Sequence, residues 1–266
     1  MTYCVGMCLE DGLVFASDSR TNAGTDYVTT YSKMHIFTPA NDRVFILLSA
    51  GNLATTQEII NRIKRDLDFS DSNESLLSAQ YMFEAADYIG RVSLDVQQSH
   101  SAALQLAGVS GECSLILGGQ ILGQPHCLMM IYPQGNYIET SKTTPYLQIG
   151  ETKYGKPVLD RVLNYHLPLN HAAKLALVSL TSTSNSNITV GAPFELSTYL
   201  AGAFKLDTHC KFEAHGEYLT ELEKHWTDGL NTVFNSLPDF TSKTAQSQQQ
   251  MFLIDDGQDE GLVNTV

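Results

Sequence analysis

Met1-Thr2-Tyr3-Cys4-Val5-Gly6-Met7-Cys8-Leu9, Glu10-Asp11-Gly12, and Leu13-Val14-Phe15-Ala16-Ser17-Asp18-Ser19-Arg20 open the chain. Two apolar runs flank an acidic, glycine-containing turn, so residues 3–9 and 13–18 read as paired strands. Asp18 closes the second run, and Lys33 opens a short run that reaches Phe37. Both fall at strand ends, where a rigid sheet can hold a functional group in place. Residues 33–37 and 44–49 form a second hairpin through Pro39-Ala40-Asn41-Asp42.

Working outward, helical periodicity covers 55–67 and, after the polar Ser70-Asp71-Ser72-Asn73, 75–98. Strands follow at 113–122, 127–132 and 136–140, then helices at 152–163 and 170–181. Strands at 194–200 and 208–214 precede a last helix over 217–234. This order does not alternate as βαβ units do. It suits two antiparallel sheets with helices packed outside them, an α+β layering. No linker divides the chain, which reads as a single domain over 1–266. The polar stretch 241–250 leads to a short closing strand, Met251-Phe252-Leu253-Ile254. An acidic tail, Asp255-Asp256-Gly257-Gln258-Asp259-Glu260, comes after it.

Composition narrows the function classes. With 266 residues and 43% hydrophobic content the chain can bury a sizeable core. No apolar run approaches the length of a membrane span, and no basic segment precedes a long apolar one as in a signal peptide. A net charge of −13 argues against nucleic acid and anionic membranes as partners. Cys4, Cys8, Cys113, Cys127 and Cys210 are odd in number and sit largely in apolar runs, which suits free thiols in a reducing cytoplasm.

Removal of Met1 would expose Thr2, whose hydroxyl could attack a carbonyl while its own α-amine takes the proton. An α-amine titrates near ~7.7–8.0, close to what a general base needs. Each feature also has a plain reading. Thr2 could be an ordinary second residue, Asp18 and Arg20 a turn pair, and Lys33 a lysine that blunts a sheet edge. Gly51 with Asn52 could be a strand-to-helix turn. His209-Cys210 and His215 fit an alternating strand better than a metal site, and no metal or cofactor is called for. Gly118-Gly119 suggest close packing or a bulge, not a phosphate loop. Residues 179–186 contain no G-x-S-x-G elbow.

Thr2, Ala16-Ser17-Asp18-Ser19-Arg20-Thr21 with Ala23-Gly24, Lys33, and Ser49-Ala50-Gly51 resemble proteasome β-subunits. Met1-Thr2-Tyr3-Cys4, the stretch 15–24, Ser186-Asn187 and Val190-Gly191-Ala192-Pro193 are closer still to Anbu, the bacterial ancestral β-subunit branch. The similarity runs from Thr2 to about Thr208. It implies a four-layer αββα sandwich, the N-terminal nucleophile hydrolase fold, and a threonine-type peptidase acting on peptide or amide bonds. It also implies self-assembly into a large homo-oligomer, either a ring or an open helical turn.

The resemblance assigns roles as well. Thr2 is the nucleophile, with its amine as base. Lys33 lowers the hydroxyl pKa, Asp18 is the counter-ion of Lys33, and the Gly51 N–H meets the oxyanion. Thr21, Tyr31, His35, Ser49 and Leu53 surround the specificity pocket, and Arg20, Ser186 and Asn187 support the site. Tyr31, His35 and Ser49 make that pocket polar, so it should not favour large aliphatic side chains. The pattern departs where the resemblance places a second acid. From Arg161 to Leu206 there is no Asp, and Glu195 is the sole acid. Pro133 or Gln134 stands where a second Ser is expected. Weaker activation follows, and two other readings stay open: a self-assembling scaffold or peptide-binding protein, and a small-molecule amidohydrolase.

Overall fold

Alternation along the first strands sets up the layers. In β1 (Tyr3–Leu9) Tyr3, Val5, Met7 and Leu9 pack toward helices, whereas Cys4 belongs to the core between two sheets. In β2 (Gly12–Asp18) Val14 and Ala16 join the first set, Leu13 and Phe15 the second. Both faces are apolar because both are covered, so the period-two pattern is a choice between two cores. The computed structural model describes residues 2–22, 28–69 and 74–240.

The remaining elements are the short strands β3 (Arg20–Asn22) and β4 (Val28–Thr30), then β5 (Met34–Ala40) and β6 (Arg43–Gly51). Helices α1 (Leu53–Asp68) and α2 (Met82–Leu106) follow. Next come β7 (Cys113–Ile121), β8 (Cys127–Ile131), β9 (Tyr137–Glu139) and β10 (Tyr146–Gly150). Helices α3 (Thr152–Val162) and α4 (Leu169–Ser186), strands β11 (Phe194–Leu200) and β12 (Thr208–Phe212), and helix α5 (Glu217–Asn235) complete the order. Within α5 lies the boundary between two compact units, residues 1–223 and 224–266. In the second unit Leu230, Val233, Phe234, Leu237 and Phe240 are exposed. The expected closing strand and the acidic tail lie outside the described residues.

Within the first unit one sheet runs β10-β1-β2-β11-β12 and another β5-β6-β7-β8-β9, both antiparallel; β3 and β4 pair separately. Three cores make the stack four layers deep. Helices α1 and α2 cover one sheet through Ile59, Ile60, Ile63, Met82, Ala86 and Ile89. Helix α4 covers the other through Ala172, Leu175, Ala176 and Leu180, and α3 adds Leu159. Between the sheets lie Phe15, Ile46, Leu48, Ile116 and Leu128. Each buried Leu, Ile or Phe stabilises the stack by ~1.5–3 kcal/mol. At Gly118 a Cβ would strike the Phe15 ring and Leu128, and at Gly119 the Val44 carbonyl. Pairing of β7 with β6 and β8 continues through both, so this glycine pair marks close approach and not a bulge.

Several expectations shift: α2 runs on to Leu106 past the expected 98, and α4 to Ser186 past the expected 181. Helical structure begins at Met82, because residues 75–80 are tied into turns. The Arg43 guanidinium donates to the carbonyls of Leu76, Leu77 and Ala79, and the Ser78 hydroxyl accepts from the Ser75 N–H at 2.9 Å. Glu84 then accepts the Gln80 N–H at 2.7 Å across the helix start. Strands β3, β4 and β10 had no counterpart in the sequence reading. The last of these borders the site.

Candidate active site

Thr2 stands just before β1 and is fixed from both flanks. Its carbonyl accepts the Glu151 N–H at 2.7 Å, and the N–H of the next residue, Tyr3, donates to Asp18 Oδ1 at 3.1 Å. The Tyr3 ring runs the other way, into the helix layer. Its hydroxyl meets Ser179 Oγ at 2.7 Å and accepts from Gln148 Nε2 at 2.5 Å, and burial pushes it up to about 12. The start of β1 is thereby pinned to β2, β10 and α4.

Asp18 is fully buried at the end of β2. Lys33, just ahead of β5, donates to Asp18 Oδ1 at 2.5 Å and to the Arg20 carbonyl at 2.7 Å. The second Asp18 oxygen accepts the Gly191 N–H at 3.3 Å. Burial drives the Asp18 carboxyl upward, against the Lys33 charge and these hydrogen bonds. A buried ion pair of this kind is strongly destabilised when either partner is removed. Among the described residues two acceptors meet the Lys33 ammonium, which has three donors, so one N–H remains for the cleft it lines. Cys4 lies close by, wholly buried. Burial pushes its thiol far up despite the Lys33 charge, so it offers no competing thiolate.

Thr2 and Lys33 share a cleft of about 730 Å³ whose wall also carries Thr21, Tyr31, His35, Ser49, Gly51 and Leu53. Strand β6 ends at Gly51 with φ +121, a left-handed value that favours glycine, and a Cβ there would strike the Glu112 carbonyl. Asn52 then starts α1, its side chain accepting the Thr55 N–H at 3.2 Å. Gly51 is therefore both the strand-to-helix turn and part of the cleft. His35 is pushed down to about 4, first by burial and then by the Lys64 charge, so it is neutral at pH 7.

The supporting residues sit differently. Arg20 donates to the Ile188 carbonyl at 2.7 Å, and its guanidinium lies where a Cβ at Gly191 would go. It braces the loop that presents the Gly191 N–H to Asp18. Ser186 closes α4, and Asn187 Oδ1 accepts the Thr189 N–H at 3.0 Å and its hydroxyl at 2.6 Å. Neither stands in the wall of the cleft. Glu195, 1% exposed, accepts the Ser32 hydroxyl at 2.7 Å and pairs with Lys211 at 2.9 Å. Ser32 is the neighbour of Lys33, so the sole acid of residues 161–206 acts on the frame and not on Thr2.

Sequence reasoning missed Glu151. It lines the same cleft as Thr2, and its backbone bonds to Thr2 directly. The signal was Gly150-Glu151 between a short apolar run and a helix. Without β10 on paper, nothing connected it with residue 2. Pro133, by contrast, lines an adjoining cavity on the far side of Gly51 and Gly150.

The family described as "Proteasome subunit" matches residues 2–198. No curated protein matches the chain. Among solved structures, "Anbu (ancestral beta-subunit) from Yersinia bercovieri" is similar at 41% identity over 90% of this chain and 99% of that chain, with TM-score 0.84. "Helical Assembly of the Anbu Complex from Pseudomonas aeruginosa" is similar at 40% identity over 91% and 99%, with TM-score 0.85. Anbu from Hyphomicrobium sp. strain MC1 is similar at 40% identity over 90% and 99%, with TM-score 0.81.

Proposed function

This chain belongs to the proteasome subunit family, in its Anbu branch, and on that premise we propose that it is an N-terminal-threonine hydrolase acting on peptides once Met1 is removed. One observation carries the reading. Thr2 opens into a cleft beside a buried ammonium that Asp18 holds in place.

In this reading the Thr2 hydroxyl attacks the substrate carbonyl and its proton passes to the α-amine nitrogen. The Lys33 ammonium favours the developing alkoxide. The oxyanion meets the Gly51 N–H, a donor whose loss typically costs ~3–4 kcal/mol in the transition state. The proton then moves to the leaving amine, and water releases the acyl group from Thr2 by the reverse sequence. His35, Tyr31 and Ser49 give the wall hydrogen-bonding groups that a leucine side chain would leave unpaired, at ~1–3 kcal/mol each. Self-association belongs to the same reading. A relative of 40% identity is described as a helical assembly, and an interface whose rotation does not close propagates in that way.

Intact mass spectrometry with and without a threonine-directed electrophile tests the reading. The expected result is loss of Met1 and a single adduct on Thr2, abolished by Thr2→Ala. A chain lacking Met1 that takes no adduct would leave the scaffold reading. Turnover of small acyl-amides with none of peptides would leave the amidohydrolase.

A further inference from the structure

Thr2 and Glu151 face each other across the mouth of a strand pair. In the β1–β10 ladder Tyr3 is opposite Gly150, and the Glu151 N–H to Thr2 carbonyl bond extends that ladder by one step. Directly opposed residues of an antiparallel pair share a face, with Cβ atoms ~4.5–5.5 Å apart. A glutamate side chain spans that gap. Gly150 permits the approach, since it has φ +85 and any Cβ would lie on the Thr2 carbonyl.

We propose that Glu151 is the second carboxylate of this site, the charge that keeps a proton on the Thr2 α-amine during attack. This rests on reading Thr2 as the processed N-terminal nucleophile. Among the described residues Asp18 holds Lys33, Glu195 holds Ser32 and Lys211, and Glu112 lines the adjoining cavity. Glu151 lines the cleft and its side chain is 13% exposed, while its ion-pair partner Lys153 is 3.9 Å away and 70% exposed. That is a loose pair at the surface. Removal of Met1 creates a new amine in this wall, beside the Lys33 ammonium. A like charge lowers the basicity of such an amine, and an adjacent carboxylate restores it.

Proton bookkeeping closes without any further reactant. The Oγ proton goes to the amine nitrogen, Glu151 stabilises the resulting ammonium and remains a carboxylate throughout, and the proton leaves with the departing amine. Glu151 does not touch the substrate carbonyl in this scheme, so it is a positioning residue for charge. Among the described residues the titratable groups around it are Lys33, Tyr31 and His35 in the cleft wall, Asp18 behind Lys33, Lys153 on α3, and Glu112 in the adjoining cavity.

The test measures the α-amine itself. In the Met1-processed protein, labelling of the Thr2 amine by an isotopic acylating reagent is followed against pH, with the N-terminal peptide quantified by mass spectrometry. Wild type is compared with Glu151→Gln and Glu151→Asp. A carboxylate raises the amine pKa, so the labelling midpoint should fall by about one pH unit, tenfold in proton affinity, in the Gln variant. The Asp variant should recover part of the shift. The acid limb of Thr2 acylation by an electrophile should move the same way, with a lower plateau. Equal midpoints in wild type and Gln variant, with equal melting temperatures, overturn the proposal. If the Gln variant does not fold, Glu151→Ala is measured in its place, and a midpoint equal to that of wild type overturns the proposal equally. A midpoint shift with no Thr2 acylation in wild type would retire the hydrolase reading and leave the charge coupling standing.

Discussion

At the scale of single residues, Asp18 and Lys33 are unequal partners. Asp18 holds four groups: the Lys33 ammonium, the N–H of Tyr3, the N–H of Gly191 and, through Lys33, the Arg20 carbonyl. Asp18→Ala leaves a buried ammonium without its counter-charge and should cost ~3–5 kcal/mol. Lys33→Ala should cost less, because burial already pushes the Asp18 carboxyl upward and it can take up a proton. The signs then follow. With a folded pKa above its unfolded value, Asp18 in Lys33→Ala adds stability that is complete below ~3.9 and lost as pH rises through the folded pKa. Urea unfolding between pH 4 and 8, read as the difference from wild type so that the His35 contribution cancels, tests this, and a Lys33→Ala protein whose deficit does not grow with pH contradicts it. Both variants should lose Thr2 acylation. His35 behaves in the opposite direction. Its folded pKa is lowered from 6.5 to about 4, so the unfolded chain binds the proton first and stability declines as pH falls between those values. The loss is on the order of 3 kcal/mol by pH 4. His35→Gln should flatten that part of the profile, and an unchanged acid slope would mean that His35 is not held neutral.

At the scale of elements, the decisive contact is between β1 and β10. Gly150→Ala places a methyl group on the Thr2 carbonyl and forces φ +85 on a residue with a side chain. The expected result is a melting temperature only a few degrees lower with acylation reduced far more, because Thr2 is displaced at the edge of the domain and not in its core. Equal losses of stability and acylation would show that β10 does no more than complete the sheet. Much of this was legible beforehand. Strands β1 and β11 and the body of α1 follow from apolar periodicity, and Asp18 from its place at the end of a buried run. Lys33 was legible as the opening of a short apolar run, and its pairing with Asp18, 15 residues earlier, came from the family resemblance. What escaped notice was short or non-local. Arg20-Thr21-Asn22 and Val28-Thr29-Thr30 are too brief to show a period. Residues 146–150 lie between Pro145 and a helix, and only pairing with β1, far away in sequence, makes them a strand. Glu151 was hidden for the same reason: its function is a property of register, which a single chain of letters does not display.

At the scale of the whole molecule, charge opposes the self-association proposed above. Subunits of net charge −13 repel one another, and at 0.15 M salt that repulsion is screened beyond ~8 Å. Self-association should therefore increase as ionic strength rises from ~10 mM to physiological values, with sedimentation velocity as the measurement. Assemblies that fall apart over the same interval would place attractive ion pairs at the interface instead. The double hold on Thr2 has one more consequence, and it concerns time. An aminopeptidase that removes Met1 must draw Thr2 into its own groove. In the finished fold the Thr2 carbonyl is bound by Glu151 and the following N–H by Asp18. Trimming therefore belongs to the nascent chain, before β1 is laid between β2 and β10. Folded protein that retains Met1 should resist methionine aminopeptidase for hours, while the same protein in urea tolerated by the peptidase is trimmed, and fast trimming of the folded form would refute this. On the proposed reading, a molecule that folds with Met1 in place stays inactive from birth, and the fraction of competent subunits is set by a race between a peptidase and a β-sheet.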